Sequence, residues 1–255
     1  MLHSMILSVQ DLDPYQWTHG IFTLIFVIIS ILIGLKILLK YFTTEGETFY
    51  EYIPLGLTYI FLSSAYWGPA FNFLAFISTG IPLPNQLFLI LNNAFIPLAV
   101  ICWIFAYTSL QKLSRKKEIR IGYLVISVVW EIIFFVLIFL NVEILYTFES
   151  TEAGIYYSKA QLPALIYPII ALLTALITGI LFGKESLTSQ DRVLRFKGIF
   201  LILAFVSFVS VALLGAFLPR EIIWLVILRI ILILSSFFYY LGLFMPEKIK
   251  NIIIR

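Results

Sequence analysis

Two ionisable side chains sit where a membrane would leave them without water, and these are the residues best placed to do chemistry. Glu131 lies ten residues into the apolar run 121–140, and Arg229 lies eight residues beyond Glu221 in the run 221–244. At about 1.5 Å of helical rise per residue, Arg229 is roughly 12 Å below the start of its helix, near the middle of a bilayer core about 30 Å thick. A guanidinium at that depth costs about 3 kcal/mol on insertion scales and has to face protein, water or a counter-ion. Three arrangements meet that demand. The two charges can line a ligand or water cavity, they can form a structural ion pair, or Glu131 can be protonated and bonded to a neighbour.

Helical spacing gathers further polar side chains around them. On the last run, Arg229, Ser236 and Tyr240 share a face; on the fourth, Tyr123, Ser127 and Glu131 do. The second run carries Tyr59, Ser63 and Tyr66, with Trp67 and Asn72 nearby. The third carries Asn92, Asn93 and Trp103, and the fifth Tyr167, Thr174 and Thr178. Lipid offers polar groups no partner, so these stripes are expected to face the interior of a bundle. The candidate ligand-binding residues are therefore Glu131, Arg229, Asn92, Asn93, Tyr66, Trp67 and Asn72. Glu131 and Arg229 are expected to share one cavity, bridged by the third helix through Asn92 or Asn93.

The elements that must position these residues are transmembrane helices. The chain is 62% hydrophobic and only 12% charged, against roughly 45–50% and 25% in soluble domains. The fold expected is all-α, one bundle of seven spans at about 17–39, 52–77, 87–110, 121–140, 162–182, 198–218 and 221–244, with a kink at Pro69. No internal repeat or soluble domain is visible. The first span has no basic residue before it and reads as retained, not as a cleaved leader. Loop charge supports the odd number. Fourteen basic residues fall in alternate loops (Lys36, Lys40; Lys112, Arg115, Lys116, Lys117, Arg120; Lys184, Arg192, Arg195, Lys197; Lys248, Lys250, Arg255), and only Lys159 and Arg220 on the other side. The positive-inside rule then places the N-terminus outside and the C-terminus in the cytoplasm of a cell membrane. Trp17, Trp224, Tyr156 and Tyr157 read as interface anchors on the outer side.

Several functions are excluded by what the chain lacks. Its two histidines, His3 and His19, both lie near one surface, so a catalytic metal site is not expected. No Gly-x-Ser-x-Gly elbow, phosphate loop or dinucleotide fingerprint occurs, and nothing points to nucleic acid or to a cofactor. Cys102 is the single cysteine, which rules out an intrachain disulfide. The third helix ends Tyr107-Thr108-Ser109-Leu110 and the seventh reads Ser235-Ser236-Phe237-Phe238-Tyr239-Tyr240, neither of which carries the signatures of rhodopsin-like receptors. Pro84-Asn85-Gln86 is not the Pro-Gln pair of the seven-helix sugar transporters.

Three strings carry a likeness: Tyr66-Trp67-Gly68-Pro69, Asn92-Asn93-Ala94-Phe95-Ile96-Pro97, and Leu241-Gly242-Leu243-Phe244-Met245-Pro246. With these the chain resembles the seven-helix sensor halves that precede prokaryotic histidine kinases, and stand-alone seven-helix proteins of archaeal type. The resemblance implies a sensor whose signal passes to a separate cytoplasmic partner, because no output domain follows the seventh span. The reading is a receptor or sensor, not an enzyme, that binds a small or lipidic ligand within the bundle; a transporter of small solutes or lipids is the alternative.

A retinal protein needs a lysine in the seventh helix, and none occurs there before Lys248. Arg229 keeps its proton and supplies no Schiff-base amine. Protein purified with added all-trans-retinal is therefore expected to stay colourless in the visible, and a borohydride-reducible adduct would refute this.

Overall fold

The computed structural model describes residues 12–43, 50, 52–111, 113–148, 158–219 and 221–254. Tyr156 and Tyr157, His3 and Arg220 lie outside the described residues. The chain forms α1 (Pro14–Thr43), α2 (Tyr52–Leu62), α3 (Trp67–Thr79), α4 (Asn85–Asn93), α5 (Ile96–Leu110), α6 (Lys116–Leu140), α7 (Leu162–Leu187), α8 (Arg192–Phe217), α9 (Ile222–Leu243) and α10 (Glu247–Ile254). With α2–α3 and α4–α5 each taken as one unit, seven helical segments of 22 to 29 residues are long and apolar enough to cross a membrane. The fold is a predominantly helical bundle whose seven segments have the length and apolarity of membrane spans. One feature departs from a purely helical reading: the loop at 141–161 carries a short antiparallel ladder, β1 (Tyr146–Phe148) with β2 (Ser158–Ala160). The tail folds as a further helix, the amphipathic α10.

The second and third segments are not continuous helices, and proline explains both interruptions. Pro69 has no N–H for the carbonyl of Ala65, and its ring crowds that turn. The backbone tightens into a 3-10 turn at Ser63–Tyr66 and resumes as α3. Pro97 acts in the same way on Asn93, where α4 ends; α5 restarts at Ile96 with the proline in its first turn. The sequence marks the first break; the second, at Pro97, is an interruption where one unbroken span is expected. Between α3 and α4, Gly80 adopts a left-handed φ of 73°, which ends α3, and the amide side chain of buried Asn72 accepts a 2.7 Å hydrogen bond from the Leu83 N–H.

The segments close into a ring in the order α1, α2–α3, α4–α5, α7, α8, α9 and back to α1, and α6 lies outside it against α5 and α7. We call the side at which α1 begins the N-terminal face. On the opposite face the backbones touch. A Cβ on Gly34 would stand 2.9 Å from the Gly56 carbonyl and 2.5 Å from Ile60; a Cβ on Gly183 would stand 2.9 Å from the Gly198 carbonyl and 2.5 Å from Ile202. The α1/α2 and α7/α8 pairs thus meet through the same glycine-to-glycine geometry, each followed by an isoleucine four residues on, a correspondence that periodicity along the chain does not reveal. Gly242 of α9 sits as tightly on Leu201 of α8. Cations lock this face further. Lys36 donates to the Tyr240 hydroxyl at 2.6 Å, Lys197 donates to the Leu243 carbonyl at 3.3 Å, and Arg120 donates to Thr108 and Ser109 at the end of α5. The last two place positive charge where helix carbonyls end.

Replacing Gly183 by Leu should therefore lower the melting temperature, by about 1–3 kcal/mol of overpacking. The same change at Gly122, which has nothing within 4 Å, should be neutral or stabilising. Equal losses at both positions in a lipid-nanodisc melt would contradict the contact.

Candidate functional site

At the level where the helices break, the bundle encloses a cavity of about 600 Å³, within the roughly 300–1,000 Å³ typical of small-molecule sites. It is mostly apolar. α1, α2, the 3-10 turn, α4, α5, α7, α8 and α9 all contribute to its wall, and no residue of α6 does. Its mouth is at the N-terminal face, framed by Tyr15, Tyr146, Ser158, Glu221 and Trp224. Its deepest polar lining is Thr58 and Thr174. Thr174 is twelve residues into α7, so the cavity extends roughly 18 Å inward at 1.5 Å per residue.

The floor is aromatic. The Trp103 indole packs 4.8 Å from the Phe205 ring and donates a 2.6 Å hydrogen bond to Thr178. Beneath it Tyr59 and Tyr239 stack at 4.3 Å, both almost fully buried, and Phe205 meets the edge of Tyr239. Ile37, Ile104 and Ala106, at 0–1% exposure, continue the plug to the glycine contacts of the opposite face. Among the described residues nothing closes the cavity at the N-terminal face, whereas side chains fill the bundle below it.

Arg229 is 8% exposed and lines the upper half of the cavity. Its guanidinium lies 4.7 Å over the Tyr66 ring and shares a 2.8 Å hydrogen bond with His19 of α1. Tyr66 is held edge-on by Phe26, and His19 stacks on Tyr15 one turn before it. The buried cation therefore faces a π surface and an imidazole. Asn92 and Asn93 both reach the cavity, with different duties. Asn93 is committed to structure: it donates to the Leu89 carbonyl and accepts a 2.9 Å bond from the Tyr146 hydroxyl, which ties the β-ladder over the mouth. Burial pushes the Tyr146 phenol up to about 12, which keeps it a neutral donor. Asn92 lines the cavity too, but its Oδ1 is buried against Gly68 of α3, with no hydrogen-bond partner among the described residues.

The remaining expectations need correction. Glu131 does not share this cavity with Arg229. The stripe it belongs to faces α7: Tyr123 bonds Thr174 at 3.0 Å, Ser127 bonds Tyr167 at 2.7 Å, and Trp130 stacks on Tyr167 at 5.5 Å. Two polar stripes that each appear to point inward satisfy one another across the α6/α7 seam, and Glu131 is left half-buried at that seam. Trp67 packs on Phe95 and donates to Ser63 across the break, and Asn72 staples the turn before α4; neither lines the cavity. Sequence reading missed His19 and Tyr15, whose signal is their i, i+4 spacing on the first turns of α1, and it assigned no cavity role to Pro168 or Phe205.

Compared with protein-family models and with curated protein sequences, the chain matches none.

Because Arg229 contacts His19 and Tyr66 while Glu131 sits beside Tyr167, the changes Arg229→Gln and Glu131→Gln should be additive in melts of the double variant, within about 0.5 kcal/mol. Arg229→Gln alone should cost about 1–3 kcal/mol. A coupling energy well above 0.5 kcal/mol would restore a shared cavity.

Proposed function

We propose that this protein is a membrane receptor or sensor, with its N-terminus outside the cell and its cavity open to the external side. The observation that carries the reading is the one-sided cavity, open at the N-terminal face and plugged by Trp103, Phe205, Tyr59 and Tyr239. A ligand seated on that floor would bear on the residues that also hold the opposite face together, because Tyr239 and Gly242 lie one turn apart on α9. Movement of α9 would then reach α10, which follows it in the chain, where a separate cytoplasmic protein could read it. The uneven loop charge supports this orientation. The reading is of binding without chemistry.

Transport is the second reading, favoured by the two interrupted segments at Pro69 and Pro97; discontinuous helices lining a site near the membrane middle are a transporter feature. One experiment separates the two. In a Cys102→Ser background, single cysteines at Lys159, Lys116 and Ala99 are treated with a membrane-impermeant methanethiosulfonate reagent, from either side of sealed vesicles. The receptor reading expects Lys159→Cys and the cavity position Ala99→Cys to react only from outside and Lys116→Cys only from inside. Reaction of Ala99→Cys from both sides would replace it with transport, and reversed labelling of the loop positions would overturn the orientation.

A further inference from the structure

The wall between α7 and α8 differs from the others. On the opposite face these helices touch through Gly183 and Gly198, and Gly179 leaves a Cβ no room against Phe205. Toward the N-terminal face no such glycine contact recurs among the described residues: a Cβ on Gly215 of α8 would meet nothing closer than Leu228 at 3.9 Å, and the cavity is lined by Leu165, Pro168 and Leu172 of α7 and by Val211, Ala212 and Leu213 of α8. Ile169 and Leu213 line the cavity and are 41% and 37% exposed, so the cavity reaches the flank of the bundle between them. That flank is apolar and at the depth of a lipid leaflet. Pro168 takes a backbone hydrogen bond out of α7 at the same level, which weakens the helix where it would have to yield. Across the cavity stands the Arg229 guanidinium with His19.

We propose that the ligand is a single-chain acyl amphiphile with an anionic head, admitted from the outer leaflet between α7 and α8. The proposal rests on the ligand-binding reading above and specifies its ligand and route. The chain lies along the apolar wall of α7 and α8 down to Trp103. The head is a carboxylate or phosphate, the groups a guanidinium recognises through paired donors, and it rests beside Arg229. Glu221 at the mouth keeps the head on the inner side of the rim, because a second anion there is repelled. Free fatty acid and lysophospholipid share this chemistry.

The test uses the full chain in nanodiscs and two photoactivatable diazirine acids, palmitic and hexanoic, with crosslinked residues mapped by mass spectrometry. The expected result is palmitate crosslinking at Leu165, Leu172 and Val211, displaced at least tenfold better by palmitate or lysophosphatidic acid than by hexadecanol. Preference for palmitate over lysophosphatidic acid assigns the free acid; the reverse assigns the lysolipid. Ala212→Trp, which fills the gap, should abolish this crosslinking, whereas Ile177→Trp, on an exposed part of α7 outside the cavity, should not. Arg229→Gln should remove the preference over hexadecanol. Its folding is checked by retention of crosslinking itself, and if it fails to fold the Ala212→Trp result decides. Hexanoic acid in the cavity with palmitate only on the outer flanks would overturn the lipid proposal and leave the ligand cavity standing. No crosslink inside the cavity from either probe would overturn both. Equal displacement by hexadecanol in the unmodified protein would overturn the anionic head.

Discussion

The contact between the backbones of Gly183 and Gly198, with its counterpart between Gly34 and Gly56, sets the geometry on which the rest depends. Without side chains between them, two helix pairs come together at one face of the bundle, and Gly242 brings a fifth helix, α9, to the same level. In lipid there is no hydrophobic force between helices, so close packing of small residues is what holds them. Helices joined tightly at one end and carrying large residues at the other must diverge, and the space they leave has to be filled or emptied. Here the lower part is filled by Trp103, Phe205, Tyr59 and Tyr239, and the upper part is the cavity.

The two prolines act on the same region from the other side of the ring. Pro69 and Pro97 each free a carbonyl one turn earlier, and irregular backbone within a membrane is tolerated where it is buried in protein or lines a cavity. The breaks bring Tyr66, Asn92 and Asn93 to the cavity wall. Arg229 then finds Tyr66 from the broken second segment and His19 from the first. A ring face and an imidazole are among the partners of this buried cation.

How far the sequence reveals this depends on the kind of signal. The seven segments are legible because a bilayer imposes length and apolarity on each, and the break at Pro69 because proline acts locally. Arg229, Tyr66, Asn92 and Asn93 are found as cavity residues because each is polar in an apolar run. Glu131 shows the limit of the same argument. Its stripe is as regular as that of Arg229, but a stripe on one helix does not say whether the face opposite is a cavity or another stripe. Tyr167 and Thr174 supply the second case, and no single-helix pattern distinguishes it. The glycine contacts are hidden for a related reason, since a glycine is informative only through what approaches it.

The central claim is that water reaches the cavity from one face and stops at the aromatic floor. Electron spin-echo deuterium modulation in D₂O-equilibrated nanodiscs measures this directly, with a nitroxide at Ala99 above the floor or at Ala106 below it. The account predicts strong deuterium modulation at Ala99 and none above the lipid background at Ala106. Equal modulation at the two positions, or none at Ala99, would contradict it.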